Sequence, residues 1–346
     1  MTPASMNVSN TGARLAHASL LTPVAVLTGF LGSGKTTLLQ HVMQSPAMKR
    51  AALIINEFGE VSIDHLLVAK ATDNIIELRN GCLCCTIRGD LALTLRDLYR
   101  KRLLGEIPSF DYVVIETTGL ADPVPILHTL ITNEPLRKAF YPDAVITCIE
   151  AVAGSRTLDE HECALAQCAI ADVILVTKTD LADSQQLSEV LARIRMLNGK
   201  AEAHQIRHGV FDHEMLFGRS LFEANPGQAD LGRWLGLDKS NHHDHLKRYV
   251  SHVLSTPGNI SMAGMAIFMN RLVNQWKDEV LRVKGIFGAR ERDGKPAVVH
   301  GVGDKFYPVQ WLAEWPDADH SSRFVIIGAR LDTATIDAMF ADLCIT

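Results

Sequence analysis

Eight residues near the start of the chain, GFLGSGKT (Gly29 to Thr36), restrict its fold more than any other stretch. They fit the spacing G-x-x-x-x-G-K-[ST], follow the apolar run VAVLT (24–28) and open a segment of helical period, 35–44. From average residue usage, an accidental match in a chain this long has a chance of roughly one in a hundred before that context is counted. Gly29, Gly32 and Gly34 let the backbone curl until successive N–H groups point at phosphate oxygens, and the dipole of the following helix adds to the attraction. Lys35 supplies a point charge for β- and γ-phosphates and the Thr36 hydroxyl a ligand for Mg²⁺. Ser33 and Thr37 complete the candidate nucleotide contacts in this stretch.

Such a loop demands a strand before it and a helix after it, and the rest of the chain continues that alternation. AALII (51–55), YVVIE (112–116), AVITCI (144–149) and DVILVT (172–177) are nearly continuous in apolar residues, as strands of a parallel sheet buried on both faces are. Helical segments are expected at 86–104, 157–170 and 184–197. The pattern predicts an α/β domain with a mostly parallel sheet over 23–220. The stretch 221–247, rich in Gly, Asn, Asp and His and without clear periodicity, reads as a linker. Beyond it RYVSHVL, a periodic stretch near 261–274, LRVKGIF, AVVHGV, FVIIGAR and a helix capped by Asp332 or Thr333 predict a smaller α+β domain, 248–346, with an antiparallel sheet. Residues 1–22, small and polar, make a poor signal peptide and read as a flexible tail. At 346 residues, two domains are the natural prior. A net charge of −5 gives no reason to expect nucleic acid or an anionic membrane as partner, and no apolar run reaches the ~18 residues of a membrane span. Seven cysteines, three at one spot, suit a reducing, cytoplasmic compartment better than a disulfide framework.

Two further motifs are expected at the carboxyl ends of buried strands, where open α/β sheets bind ligands. In YVVIETTGLADP, Glu116 can reach Mg²⁺ through water and the Gly119 N–H can meet a γ-phosphate. TKTD, Thr177 to Asp180, resembles the guanine-reading [NT]KxD motif of GTPases. There the Asp180 carboxylate would accept from the guanine N1–H and 2-amino group while the Lys178 stem packs along the base. Adenine lacks that pair of donors, which disfavours an ATP-dependent kinase or synthetase. Thr177 stands where Asn is commoner and loses a side-chain amide.

Taken in order, TGFLGSGKTTLL, NEFGEVSID, NGCLCC, ETTGLADP, TKTD and VKG (283–285) identify the chain as similar to the CobW-type P-loop GTPases. These are cytoplasmic metallochaperones and maturation factors related to the nickel-insertion GTPases of hydrogenase and urease. The resemblance covers nearly everything from residue 23 onward. It implies a P-loop GTPase domain followed by a CobW-type C-terminal domain, dependence on GTP and Mg²⁺, and Zn²⁺ or a similar divalent ion such as Co²⁺ or Ni²⁺ at Cys-x-Cys-Cys. It also implies a client apo-metalloprotein as partner, and homo-oligomerisation is compatible with it. A nucleotide-gated metal sensor or store, or a cobalt-delivery factor in cobalamin biosynthesis, are the competing readings.

Cys82, Cys84 and Cys85 carry the metal expectation, because thiolates are soft ligands for Zn²⁺. In an extended segment Cys82 and Cys84 point the same way, and Cys85 joins them only through a turn. Three thiolates leave a fourth position for water, a carboxylate or a partner's ligand, and an incomplete shell suits a metal donor. A disulfide switch and plain packing are the alternatives, although adjacent Cys84 and Cys85 pair poorly. Cys148, Cys163, Cys168 and Cys344 lie in apolar patterns and are expected to pack. In NEFGEVSID, at the place of a first switch segment, Glu57 and Asp64 are assigned to the nucleotide side and Glu60 to the transferred metal. His242, His243 and His245 are either metal-capturing or plain surface. His300 is expected on a strand facing solvent or a partner, and Arg282, Lys284 and Arg290 on a solvated sheet face.

Overall fold

The computed structural model describes residues 21–43, 50–56, 75–78, 86–208, 210–211, 231–235, 249–277 and 279–345. In the first half, β1 (Thr22–Gly29), α1 (Lys35–Met43), β2 (Ala51–Asn56), β3 (Ile75–Leu78), α2 (Thr86–Leu103) and β4 (Tyr112–Glu116) are followed by α3 (Val124–Thr132) and α4 (Glu134–Arg137). Then come β5 (Phe140–Glu150), α5 (Gly154–Glu160), α6 (Glu162–Ile170), β6 (Val173–Thr177), α7 (Ser184–Asn198) and β7 (Glu202–Gln205). The strands form one sheet of seven, in the order β3-β2-β4-β1-β5-β6-β7, with every pairing parallel.

Alternation along a strand sends successive side chains to opposite faces. Val24 and Val26 therefore join one apolar cluster with Leu95, Leu130 and Phe140, while Ala25 and Leu27 join another with Leu38, Leu53 and Ile146. That double burial is why the strands read as continuous apolar runs. The strands anticipated from sequence all form; β3 and β7, at the two edges, were not anticipated.

The helix expected over 157–170 is instead two, α5 and α6, broken at His161, which is extended (φ −121°, ψ 113°). Its ring stacks on Phe30 with centroids 4.4 Å apart, so a tertiary contact sits at the break.

The second half contains β8 (Tyr249–Thr256), α9 (Met262–Gln275), β9 (Val280–Ala289), β10 (Lys295–Val302), β11 (Lys305–Phe306), β12 (Gln310–Trp311), β13 (Ser322–Ala329) and α10 (Thr333–Ile345). The sheet order is β11-β10-β9-β13-β8, with β12 also on β10, and all pairs are antiparallel. Asp332 caps α10, accepting from the Thr335 N–H and hydroxyl. On one face of the sheet α9 and α10 bury Phe268, Leu272 and Phe340 against Phe287 and Phe324.

The other face is also buried, which corrects the expectation of a solvated basic strip. Arg282 and Lys284 are 2% and 8% exposed and His300 4%. The three lie together because Lys284 pairs with His300 across β9 and β10. Ile286 and Val298, on the same face, belong to a cluster with Ile174, Leu165 and Cys168 of the first domain. Charge at alternate positions ordinarily marks a wet face; here the charges face Asp172 across the domain boundary, with Arg282 Nη1 at 2.6 Å. Arg290 is exposed, but in the short turn Arg290–Arg292 that follows β9 and not on a sheet face.

The segment 221–247 is likewise more than a linker. It holds a short helix, α8 (Leu231–Leu235), whose Leu231, Trp234 and Leu235 are 2%, 5% and 2% exposed. Lys284 Nζ donates to the Trp234 carbonyl at 2.9 Å, and one apolar turn amid Gly and Asn left too little periodicity to read.

Candidate nucleotide site

The order of the sheet reverses at β1, flanked by β4 and β5, and the loop 29–36 leaves the carboxyl end of that strand. Gly29, Gly32 and Gly34 have φ of 143°, 73° and 88°, conformations that L side chains rarely adopt. Lys35 is buried, 8% exposed, and its Nζ donates to the carbonyls of Gly29 at 2.6 Å and Phe30 at 3.0 Å. The amine is thus drawn back over its own loop. Ser33 is buried, Thr36 half-buried and Thr37 exposed at the start of α1.

Glu116 ends β4, 7% exposed and in register with Leu27 of β1. Next to it Thr117 donates from its hydroxyl to the Thr28 hydroxyl at 2.8 Å and from its N–H to the Leu27 carbonyl at 2.9 Å. Those bonds fasten the two strand ends. The approach continues into the following loop, where a Cβ on Gly119 would lie 2.6 Å from the Leu31 nitrogen. Only glycine allows the Glu116 loop to lie against the phosphate-type loop this closely.

The third strand end is held by Thr177. Its hydroxyl donates to the Ser33 carbonyl at 2.7 Å, so the less common residue of TKTD supplies a bond of its own. Lys178 has φ 55° and its Nζ lies 2.9 Å from Glu150 Oε2. Asp180 accepts from the His208 N–H at 3.3 Å. Its own N–H first, then the His208 N–H and the nearby His208 and Arg207 side chains, hold its carboxyl below the ordinary carboxylate value.

The structure therefore brings together Gly29, Gly32, Ser33, Gly34, Lys35, Thr36, Thr37, Glu116, Gly119, Thr177, Lys178 and Asp180 at the carboxyl ends of the inner strands β1, β4 and β6. Thr28, Thr117, Phe30, His161 and His208 support these residues and were not singled out from sequence. Thr117 sits inside ETTG, where a hydroxyl beside the acid was the available signal. Cys82, Cys84, Cys85, Glu57, Glu60, Asp64, His242, His243 and His245 lie outside the described residues. Among the described residues no group of His, Cys, Asp and Glu is arranged to hold a metal. Cys148 and Cys168 are buried thiols whose pKa burial pushes up to about 12, the inert packing role expected of them. Cys163 is half-buried, and the side chain of Cys344 is outside the described set. No described helix is long and apolar enough to cross a membrane.

Comparison with known proteins gives these strand ends a context. The zinc chaperone YjiA of Escherichia coli (strain K12) is 36% identical over 330 residues, spanning 93% of this chain and 99% of that protein. The zinc chaperone CobW of Pseudomonas aeruginosa is 32% identical over 366 residues, spanning 91% and 89%. In three dimensions the zinc-bound YjiA GTPase from E. coli superposes with a TM-score of 0.70 at 28% identity, covering 93% of this chain and 99% of that one. The CobW/HypB/UreG nucleotide-binding domain model matches residues 23–205 and the CobW C-terminal domain model residues 249–344. This chain belongs to the CobW/HypB/UreG family, with a nucleotide-binding domain followed by the CobW C-terminal domain.

Proposed function

We propose that this protein is a GTP-hydrolysing metallochaperone that binds a divalent metal, zinc first and Co²⁺ or Ni²⁺ by the same thiolate chemistry, and passes it to a client apo-metalloprotein in the cytoplasm. The observation that carries the GTPase half is the fastening of three strand ends at one crevice: Thr117 to Thr28, and Thr177 to Ser33. Lys35 and the glycine loop would hold the phosphates, Lys178 and Asp180 the guanine. Thr36 and Glu116 offer a hydroxyl and a carboxylate, hard oxygen donors of the kind Mg²⁺ takes. Bound there, Mg²⁺ would neutralise charge on the β- and γ-phosphates. Glu57 and Asp64 are assigned to the same nucleotide side. The metal half is supported by the relatives named zinc chaperone and by the chemistry of Cys82, Cys84 and Cys85, with Glu60 as candidate fourth ligand. Intrinsic turnover should be slow, since no arginine stands out in the sequence to stabilise the transferring phosphate and partners often bring one.

The test is a Zn²⁺ titration of the purified protein with GTP, with GDP and without nucleotide, alongside a Cys82/Cys84/Cys85 triple alanine variant. Affinity that changes with nucleotide and vanishes in the variant is the expected result. Zinc affinity indifferent to nucleotide would reduce the protein to a passive store. GTP hydrolysis should respond to Zn²⁺ and disappear in Lys35→Ala.

A further inference from the structure

We infer that Gln167 is a positioning residue for GTP hydrolysis, and that α6, which carries it, ties the nucleotide loops to the C-terminal domain. Gln167 is 1% exposed, and its Nε2 donates to the carbonyls of Ala121 at 2.9 Å and Gly119 at 3.3 Å. Two carbonyls facing one side chain call for a group with two hydrogens to give, which a primary amide has and an apolar residue of equal volume lacks. Both carbonyls belong to the loop that follows Glu116. The Gln167 carbonyl accepts separately from the Thr147 hydroxyl at 2.8 Å, a bond that does not involve the amide.

A second observation connects the same side chain to the glycine-rich loop. Gln167 Oε1 and Ser33 Oγ are both buried without a hydrogen-bond partner among the described residues. Both residues line one small cavity of about 20 Å³, together with Phe30 and Leu31. A cavity of that volume is large enough for one water molecule. One buried amide thus holds the loop after β4 and shares a cavity with the phosphate-type loop.

The ends of α6 extend the connection. At its start His161 stacks on Phe30. At its finish the Ile170 carbonyl accepts from Arg282 Nη1 at 3.0 Å, and Asp172, two residues on, binds Arg282 and Lys284 of β9. The segment from His161 to Asp172, built around the nine-residue helix Glu162–Ile170, therefore touches both nucleotide loops and the C-terminal sheet. A change in the Gly119 loop that pulls on Gln167 has a rigid route to β9, and a shift in β9 has the same route back.

This inference rests on GTP hydrolysis by the nucleotide domain and not on metal transfer. Gln167→Met keeps the volume and removes the donor; Thr147→Val removes a buried hydrogen bond to the same helix but leaves the amide in place. The expected result for Gln167→Met is a kcat lower by about tenfold or more with GDP affinity within about threefold of wild type, since a displaced loop costs turnover more than binding. Thr147→Val should hold kcat within about twofold. Equal losses of kcat in both variants would reduce Gln167 to a packing residue, and unchanged kcat in Gln167→Met would overturn the inference alone. Wild-type protein that hydrolyses no GTP would overturn the enzyme reading with it. The wild-type chain provides a readout that needs no variant: hydrogen exchange in 168–172 and 282–284 should differ by about threefold or more between the GDP form and a form with a non-hydrolysable GTP analogue. Identical exchange in both forms removes the link to the C-terminal domain.

Discussion

The Thr177 hydroxyl donates to the Ser33 carbonyl across 2.7 Å, so the last residue of β6 holds the phosphate-type loop from the side opposite β4. This bond is buried, and a buried hydrogen bond contributes about 0.5–1.5 kcal/mol net while an orphaned buried acceptor costs about 1–3 kcal/mol. Thr177→Val, which preserves shape, should lower the melting temperature by a few degrees and weaken GTP and GDP alike by about tenfold. Thr177→Asn should not restore the loss, because its amide nitrogen lies one bond farther from the backbone than the hydroxyl that now stands 2.7 Å from the Ser33 carbonyl. Equilibrium nucleotide binding on both variants checks this; wild-type affinity in Thr177→Val would show the bond to be incidental.

Asp180 is prearranged before any base arrives. The His208 N–H binds one carboxylate oxygen at 3.3 Å, leaving the group ionised and oriented. Asp180→Asn should cost about 10- to 100-fold in GTP affinity while leaving weak ATP binding nearly untouched, since only guanine offers the paired donors. Because the carboxyl is held below its ordinary value of 3.8, GTP selectivity should stay flat from pH 8 down to about pH 5. Competition binding of GTP against ATP across that range is the measurement, and discrimination that collapses above pH 5 would show that the ionised Asp180 carboxylate does not carry the selectivity.

Gly119 is where the Glu116 loop and the phosphate-type loop come closest. A Cβ there would sit 2.6 Å from Leu31 N and 2.8 Å from Leu31 Cα, and backbone cannot step aside as a flexible side chain can. Gly119→Ala should therefore displace one loop from the other and lower the single-turnover rate of GTP hydrolysis by about 10- to 100-fold. GDP, which has no γ-phosphate to meet the Gly119 N–H, should bind within about threefold of wild type. An unimpaired single-turnover rate would mean that the loop has slack the contact distances do not suggest.

Much of this architecture was legible in the sequence because the same physics writes both. The buried strands β1, β2, β4, β5 and β6 are apolar on both faces, and motifs at their carboxyl ends follow from where parallel sheets present ligands. Thr177 was legible as a departure but not as a donor, since its partner Ser33 is 144 residues away in sequence. Gln167 sits in an apolar helix as an apparent anomaly, and only the fold shows which carbonyls it meets. The misreading of Arg282, Lys284 and His300 has the same origin. Period-two charge signals a wet sheet face unless a counter-charge is waiting, and Asp172 lies 112 residues from Lys284. Likewise α8 is a single turn, too short to display a period, yet Trp234 is 5% exposed.

That counter-charge gives the molecule a defined acid sensitivity. The Asp172 side chain is 9% exposed, bound by Arg282 Nη1 at 2.6 Å and by Lys284 Nζ. Burial raises its pKa, and the Arg282 and Lys284 charges outweigh burial and hold the carboxyl well below the usual carboxylate range. Lys284 is itself pulled down to about 8 by burial, against the opposing pull of Asp172, so at neutral pH Asp172 and Lys284 are both charged. A carboxyl whose folded pKa lies below its unfolded value of about 3.9 contributes stability that is complete above that value and drains away as pH falls through it towards the folded one. Wild type should therefore lose melting temperature more steeply than Asp172→Asn below about pH 5. At pH 7 Asp172→Asn should be less stable by about 3–5 kcal/mol, because Arg282 and Lys284 are left buried without their anion. Removing the cations as well, in Asp172→Asn/Arg282→Met/Lys284→Met, should recover most of that loss, since an apolar interface of similar volume needs no counter-charge. Thermal melts of the three proteins from pH 7 to pH 3 separate these outcomes, and parallel curves for wild type and Asp172→Asn would show that Asp172 is not the group that titrates.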